Sequence, residues 1–224
     1  LANEDALAYG HAVNVRAIVN WQRGDLSEAQ RLYSQCLDIA LRESDTLLAA
    51  MAAQNLGIVA TVRGDHDQAL HHFKASLQGY RSLGADREIY VVQNNLGRLY
   101  CDRGRWDEAE SAFDSALTIA ITLGETSRAT MIEVNIAEMW VARREFDKAE
   151  ACCAQALERA RLAGDSHADG EAQRILGIIA RERRDFERAE RALALADEIA
   201  RAREDVLLQA HVSRERAELS RQQG

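Results

Sequence analysis

Residues 94–117 read NNLGRLYCDRGRWDEAESAFDSAL, and their spacing decides the fold. Leu96, Leu99 and Tyr100, with Val91 and Val92 upstream, recur at helical intervals, and Gly104 closes the run. A second run sets Trp106, Ala109, Ala112, Phe113, Ala116, Leu117 and Ala120 on one helical face and ends at Gly124. Two helices joined by a glycine turn are therefore expected, since glycine takes the left-handed conformation just past a helix end without steric penalty.

The pattern is not confined to this stretch. Displaced by 40 residues, the chain matches itself: Ala29, Ala69, Ala109, Ala149 and Ala189 share one slot. Leu56, Leu96, Ile136 and Leu176 fill another, and Ala17, Gly57, Gly97, Ala137 and Gly177 the next. Cys36, Ser76, Ala116, Ala156 and Ala196 form a further small-residue slot. Gly24, Gly64 and Gly104 mark one turn and Gly84, Gly124 and Gly164 the other. Arg144 and Arg184 interrupt the first series, so those turns either use another geometry or carry strain. Asp25 and Glu28 form a capping-box pattern ahead of a helix. Glycine inside a helix costs about 1 kcal/mol relative to alanine, so its recurrence at 57, 97 and 177 points to close approach of a partner helix. The alanine slot on the second helix is the natural counterpart.

Composition narrows the function. The chain has 224 residues, 47% of them hydrophobic, no proline and 5% aromatics, which suits a packed helical protein and argues against β-sandwiches and barrels. A net charge of −8, spread along the chain, lacks the basic footprint expected of nucleic-acid or anionic-lipid binding. Only Lys74 and Lys148 are lysine, the other basic residues being arginines scattered over helix positions. No apolar stretch approaches the length of a membrane helix, and LANEDALAYG shows no signal-peptide pattern. Beginning at Leu1 without methionine, the chain reads as a fragment or processed product. Cys36, Cys101, Cys152 and Cys153 fit neither a metal nor a disulfide framework; they read as half-buried helix residues in a reducing, cytoplasmic setting. His66, His71 and His72 lack the i, i+4 spacing of a helical metal pair, and Trp106, Phe146 and Phe186 read as core at the second-helix start. No phosphate loop, nucleophile elbow or zinc-protease signature occurs. Catalysis, a metal and a cofactor are not expected.

The segment 94–117 resembles a tetratricopeptide repeat, through Leu96, Gly97, Tyr100, Ala109, Phe113 and Ala116. Residues 56–76 match it with Leu56, Gly57, Gly64, Ala69, Phe73 and Ser76; the units 126–165 and 166–205 match more weakly. The first unit has Arg16 where leucine is usual. The 40-residue period and the absent proline are similar to the longer repeats of kinesin light chains, Pins/LGN scaffolds, bacterial peptide-pheromone receptors and the sensor arrays of bacterial signalling ATPases and transcription activators.

That resemblance implies an all-α, right-handed superhelical solenoid of antiparallel helix pairs over residues 1–224. Its units are expected at about 6–45, 46–85, 86–125, 126–165 and 166–205, with a half unit at 206–224. It also implies that the first helices line a concave groove for a protein or peptide segment. The groove positions include Asn14, Gln54, Asn55, Asn94, Asn95, Arg98, Asn135 and Arg174. A carboxamide donates and accepts, and so is able to grip a peptide backbone whatever its side chains; the same amides could equally bridge neighbouring helices. Arg98, Arg174, Arg181 and Arg214 could meet a ligand carboxylate or phosphate, although Glu138, Glu171, Glu182, Glu215 and Glu218 offer internal partners. Trp21 is either a peptide anchor or an end-packing residue. The expected function is a non-catalytic binding scaffold within a larger regulatory protein. The alternatives are an effector-sensing array of a transcription activator or signalling ATPase, and a spacer that self-associates through an apolar half unit at Val206, Leu207, Leu208, Ala210 and Val212. Neither nucleic acid nor membrane is an expected partner.

Overall fold

The computed structural model describes residues 2–223, with side chains from Asp5 onward. The described residues form eleven helices and no strand: α1 (Ala2–Gln22), α2 (Leu26–Arg42), α3 (Thr46–Val62), α4 (His66–Leu83), α5 (Asp86–Asp102), α6 (Trp106–Thr122), α7 (Thr126–Ala142), α8 (Phe146–Ala163), α9 (Ser166–Glu182), α10 (Phe186–Ala202) and α11 (Val206–Gln223). Odd-numbered helices are the first members of hairpins and even-numbered ones the second. From Leu26 to Phe186 and from Thr46 to Val206, equivalent helices begin at the same 40-residue interval. The fold is an all-α helical-repeat solenoid. The chain divides into two compact units, Leu1–Ile119 and Ala120–Gly224.

The turns recur twice as often as the repeat. Residues 24, 44, 64, 84, 104, 124, 144, 164, 184 and 204 all lie at positive φ. At each, the next N–H donates to the carbonyl five residues back: Asp25 to Asn20 (3.0 Å), Glu145 to Trp140 (2.9 Å), Asp185 to Ala180 (2.9 Å). This is the Schellman closure, which requires a left-handed residue. Glycine supplies it at six positions; Ser44, Arg144, Arg184 and Glu204 adopt it with φ between 55° and 61°. Of the two geometries open for Arg144 and Arg184, the strained one is realised, because the bond pattern of the turn admits no other.

Asp25, Asp45, Asp65, Asp165, Asp185 and Asp205 follow these turns, and each carboxylate accepts from the backbone N–H three residues on. Such caps contribute about 1 kcal/mol each. Ala85, Glu125 and Glu145 stand in equivalent positions and supply no side-chain bond to the helix start. The capping box at Asp25 forms by half. Asp25 caps Glu28 N–H, but the Glu28 carboxylate turns to Arg31 (2.7 Å) while Asp25 N–H is held by Asn20.

Packing inside each hairpin depends on size pairing across sixteen residues. A Cβ added to Gly57 would lie 2.6 Å from the Phe73 ring, one on Gly97 2.6 Å from Phe113, and one on Gly177 2.6 Å from Leu193. The close approach expected at these glycines is present. The group received is the bulky residue at 73, 113 and 193, rather than the alanine slot. Where the first-helix residue is Ala137, the corresponding residue is Cys153. Burial pushes the Cys153 thiol up to about 12 and the Cys36 thiol up to about 11, so both behave as small core residues. None of the four cysteines is joined in a disulfide among the described residues. Trp106, Phe146 and Phe186 are only half-buried, and Phe186 packs against the Leu193–Leu208–Leu219 cluster.

Gly97→Ala is expected to destabilise the protein by about 1–3 kcal/mol, because the Phe113 ring must move. Phe113→Leu in the same chain should recover part of the loss, as measured by urea unfolding. Arg184→Gly and Glu204→Gly should each stabilise by about 0.5–1 kcal/mol through relief of the left-handed strain. The readout is the same urea midpoint.

Candidate functional site

In the first unit, α1, α3 and α5 lie side by side and present one shared face. Asn14 is buried, and its Oδ1 accepts a long hydrogen bond from Asn55 Nδ2 (3.4 Å), so this pair ties α1 to α3. Gln54, Asn94 and Asn95 are half-buried on the same face. Arg98 is exposed and has no ion-pair partner among the described residues. Apolar side chains lie among the amides on this face. Val15 is 59% exposed and Ile18 36%, while Met51, Ile58 and Val91 are half-buried. Trp21 packs against the core at this end and keeps part of its surface open, which favours the end-packing reading.

The second unit differs in its chemistry. Asn135 is half-buried on α7. Arg174 on α9 is only 8% exposed; its Nε donates to Glu171 (2.8 Å) and its other arm to Glu138 on α7. Burial lowers the pKa of the Arg174 guanidinium, but the two carboxylates more than offset this and raise it overall. Arg181 similarly donates to Glu215 on α11 (2.6 Å), and Arg159 grips the buried Glu133 with two bonds of 3.0 and 3.1 Å. The expected internal ion pairing is thus present for Arg174 and Arg181, which join first helices to one another. Arg214 remains largely exposed, 3.9 Å from Glu215. The open apolar face expected on residues 206–224 is smaller than supposed. Leu208 and Val212 are buried with the α10 core, which leaves Val206, Leu207 and Ala210 outside.

No group of three potential metal ligands occurs among the described residues, at His66, His71 and His72 or elsewhere. His71 and His72 stack edge-to-face with ring centroids 5.3 Å apart, and burial holds the His72 pKa below its usual value.

Two clefts on the second-helix side of the first unit escaped the sequence reading. One, about 460 Å³, lies between α2, α3 and α4 and is lined by Ala50, Ala53, Ala75 and Gly79. One period later these slots hold Tyr90, Gln93, Ser115 and Ile119. Small residues line this cleft, whereas longer polar side chains line the equivalent one a period later. The other, about 790 Å³, runs between α4, α5 and α6, with Lys74 and Arg81 on one wall and Asp107 on the other. No helix among the described residues is long and apolar enough to cross a membrane.

The hairpin geometry agrees with family-level sequence matches. Tetratricopeptide-repeat profiles match residues 6–82, 91–126 and 134–169, well over half of the chain. The chain belongs to the tetratricopeptide-repeat family. No curated protein sequence matches it. Among solved structures, BtubC (BKLC) from P. vanneervenii is similar at 21% identity and a TM-score of 0.75, over 89% of this chain and 83% of that one. The apo form of RapI superposes with a TM-score of 0.78 at 15% identity, over 88% of this chain and 72% of its own. The Rap conjugation gene regulator of plasmid pLS20, solved in complex with the Phr* peptide, gives 0.74 at 17% identity. That match covers 95% of this chain and 60% of the regulator. At such identities these tetratricopeptide-repeat neighbours establish the fold.

Arg174→Ala is expected to cost about 3–5 kcal/mol, since Glu171 is left buried and unpaired. Arg174→Met with Glu171→Gln should recover much of that loss in urea unfolding. A purely ligand-binding arginine would show no such coupling.

Proposed function

We propose that this chain is a non-catalytic scaffold that binds a peptide or protein segment on the first-helix face, as part of a larger regulatory protein. The observation that supports the reading most directly is the surface formed by Asn55, Asn94, Asn95 and Arg98. There an exposed arginine without an ion-pair partner stands beside half-buried carboxamides, with Val15 and Ile18 open nearby. Carboxamides serve a peptide backbone in either direction, a guanidinium serves a carboxylate, and the apolar residues receive side chains. Asn14 contributes by orienting Asn55. Gln54 belongs to the same face, and Asn135 holds the equivalent slot on α7 within the second unit. Arg174 acts as a structural tie beneath the surface. The peptide-bound Rap regulator lends support for the ligand class.

The test begins with peptides selected from a random display library against the wild-type chain. Asn55→Ala/Asn95→Ala/Arg98→Ala should weaken a selected peptide by about 30-fold or more, on the scale of interface hot spots, with helicity unchanged by circular dichroism. Unchanged affinity in the folded triple variant would move binding to another surface.

A further inference from the structure

Arg23, Arg63, Arg103, Arg143 and Arg183 each follow the last residue of a first helix. In the later hairpins such an arginine reaches back to the second residue of the preceding second helix. Arg103 donates to Asp67 of α4 (2.5 Å). Arg183 donates to Asp147 of α8 and, with its other arm, to Glu150 (2.6 Å). Asp107 and Glu187 fill the slot of Asp67 and Asp147, so every hairpin after the first presents a carboxylate there. The first presents Ser27, and Gln30 stands in the slot of Glu150. Arg63 makes the same two contacts with these neutral residues: Nη2 donates to Ser27 Oγ (2.7 Å) and Nη1 to Gln30 Oε1 (2.5 Å). The tie keeps its geometry and lacks its anion.

The surroundings of Ser27 suit an added negative charge. Its side chain is exposed, and it is the second residue of α2, where the helix leaves backbone N–H groups unpaired and favours anions. The neighbouring acids are engaged, Asp25 with the Glu28 N–H and Glu28 with Arg31. In the second hairpin Asp65 and Asp67 occupy the slots of Asp25 and Ser27, so two acids at this spacing are already accommodated by the fold.

We propose that Ser27 is a phosphoryl acceptor for a protein kinase and that Arg63 receives the phosphate. The γ-phosphoryl group of a nucleoside triphosphate passes to Ser27 Oγ. The new Oγ–P bond forms as the bond to the β-phosphate oxygen breaks, the nucleoside diphosphate leaves, and the hydroxyl proton goes to the base of the kinase. The product gives the first hairpin the charge that Asp67 and Asp147 give the later ones, and a larger one, since phosphoserine carries about −1.5 to −2 at neutral pH. Charge-assisted bonds to the guanidinium then tie α2 to the end of α3 more firmly. None of the amide-surface residues takes part, so the proposal stands or falls apart from the peptide binding proposed above.

Trypsin releases residues 24–31, GDLSEAQR, in which Ser27 is the only hydroxyl residue. In protein isolated from its own cells, mass spectrometry should find part of this peptide heavier by one phosphoryl group, with fragment ions placing the group on Ser27. Absence of that species from both growing and starved cells overturns the proposal. The role of Arg63 is read on the full 224-residue chain phosphorylated at Ser27 during synthesis. Its thermal midpoint should exceed that of the unmodified chain by about 2–4 °C, and Ser27→Asp should give a smaller gain in the same direction. Both gains should vanish in the Arg63→Gln background, which circular dichroism shows to be folded. A phosphate that leaves the midpoint unchanged or lowers it overturns the proposal, as does a gain that survives Arg63→Gln.

Discussion

Three of the five hairpins depend on one close approach, that of a second-helix side chain to a first-helix residue lacking a Cβ. Phe73, Phe113 and Leu193 occupy the space that a side chain at 57, 97 or 177 would fill. A mid-helix glycine has an intrinsic cost of about 1 kcal/mol, and burying the ring it admits more than offsets that cost. Once the helices are this close, the remaining buried slots have to be small. The fully buried Ala29, Ala69, Ala109, Ala149 and Ala189 follow from that spacing.

Helix starts and the 40-residue period were legible because they are written as residue size at fixed intervals. Gly104 announces a turn, and Gly97 announces a neighbour. The 20-residue rhythm of the turns was only half visible. Gly84 and Gly124 disclose it, but Ser44 and Glu204 adopt the same left-handed backbone with no mark in their identity. Their conformation is imposed by the hydrogen bonds on either side. The cap series was hidden for a similar reason. Asp65 and Asp205 hold helix starts while Ala85 does the same job unaided, so no consensus appears.

The candidate surface was legible in outline. Asparagine is an indifferent helix former, and its recurrence at 55, 95 and 135 drew attention to the first helices. What the sequence withheld was which polar groups are already engaged. Glu133 and Arg159 are 26 residues apart and Arg181 and Glu215 are 34 apart, and their union depends on the rotation of neighbouring helices. Val15 and Ile18 lie exposed among the amides, and their apolar identity alone does not separate them from the core valines of the same helices. The second-helix clefts lie between neighbouring hairpins, one lined by Ala53 and the other by Gln93 in the same slot, so residue identity does not announce them.

The size pairing inside the hairpins also bears on how such a chain is able to evolve. Gly57 with Phe73 and Ala137 with Cys153 occupy equivalent slots but divide the available volume differently. A crossover that exchanged whole hairpins would carry both members of each pair together. One that joined the first helix of one hairpin to the second helix of another would set Ala137 against Phe73, or Gly57 against Cys153, producing overlap or a void. The heritable module is therefore the hairpin, and the turn between hairpins is the tolerated joint for duplication and shuffling.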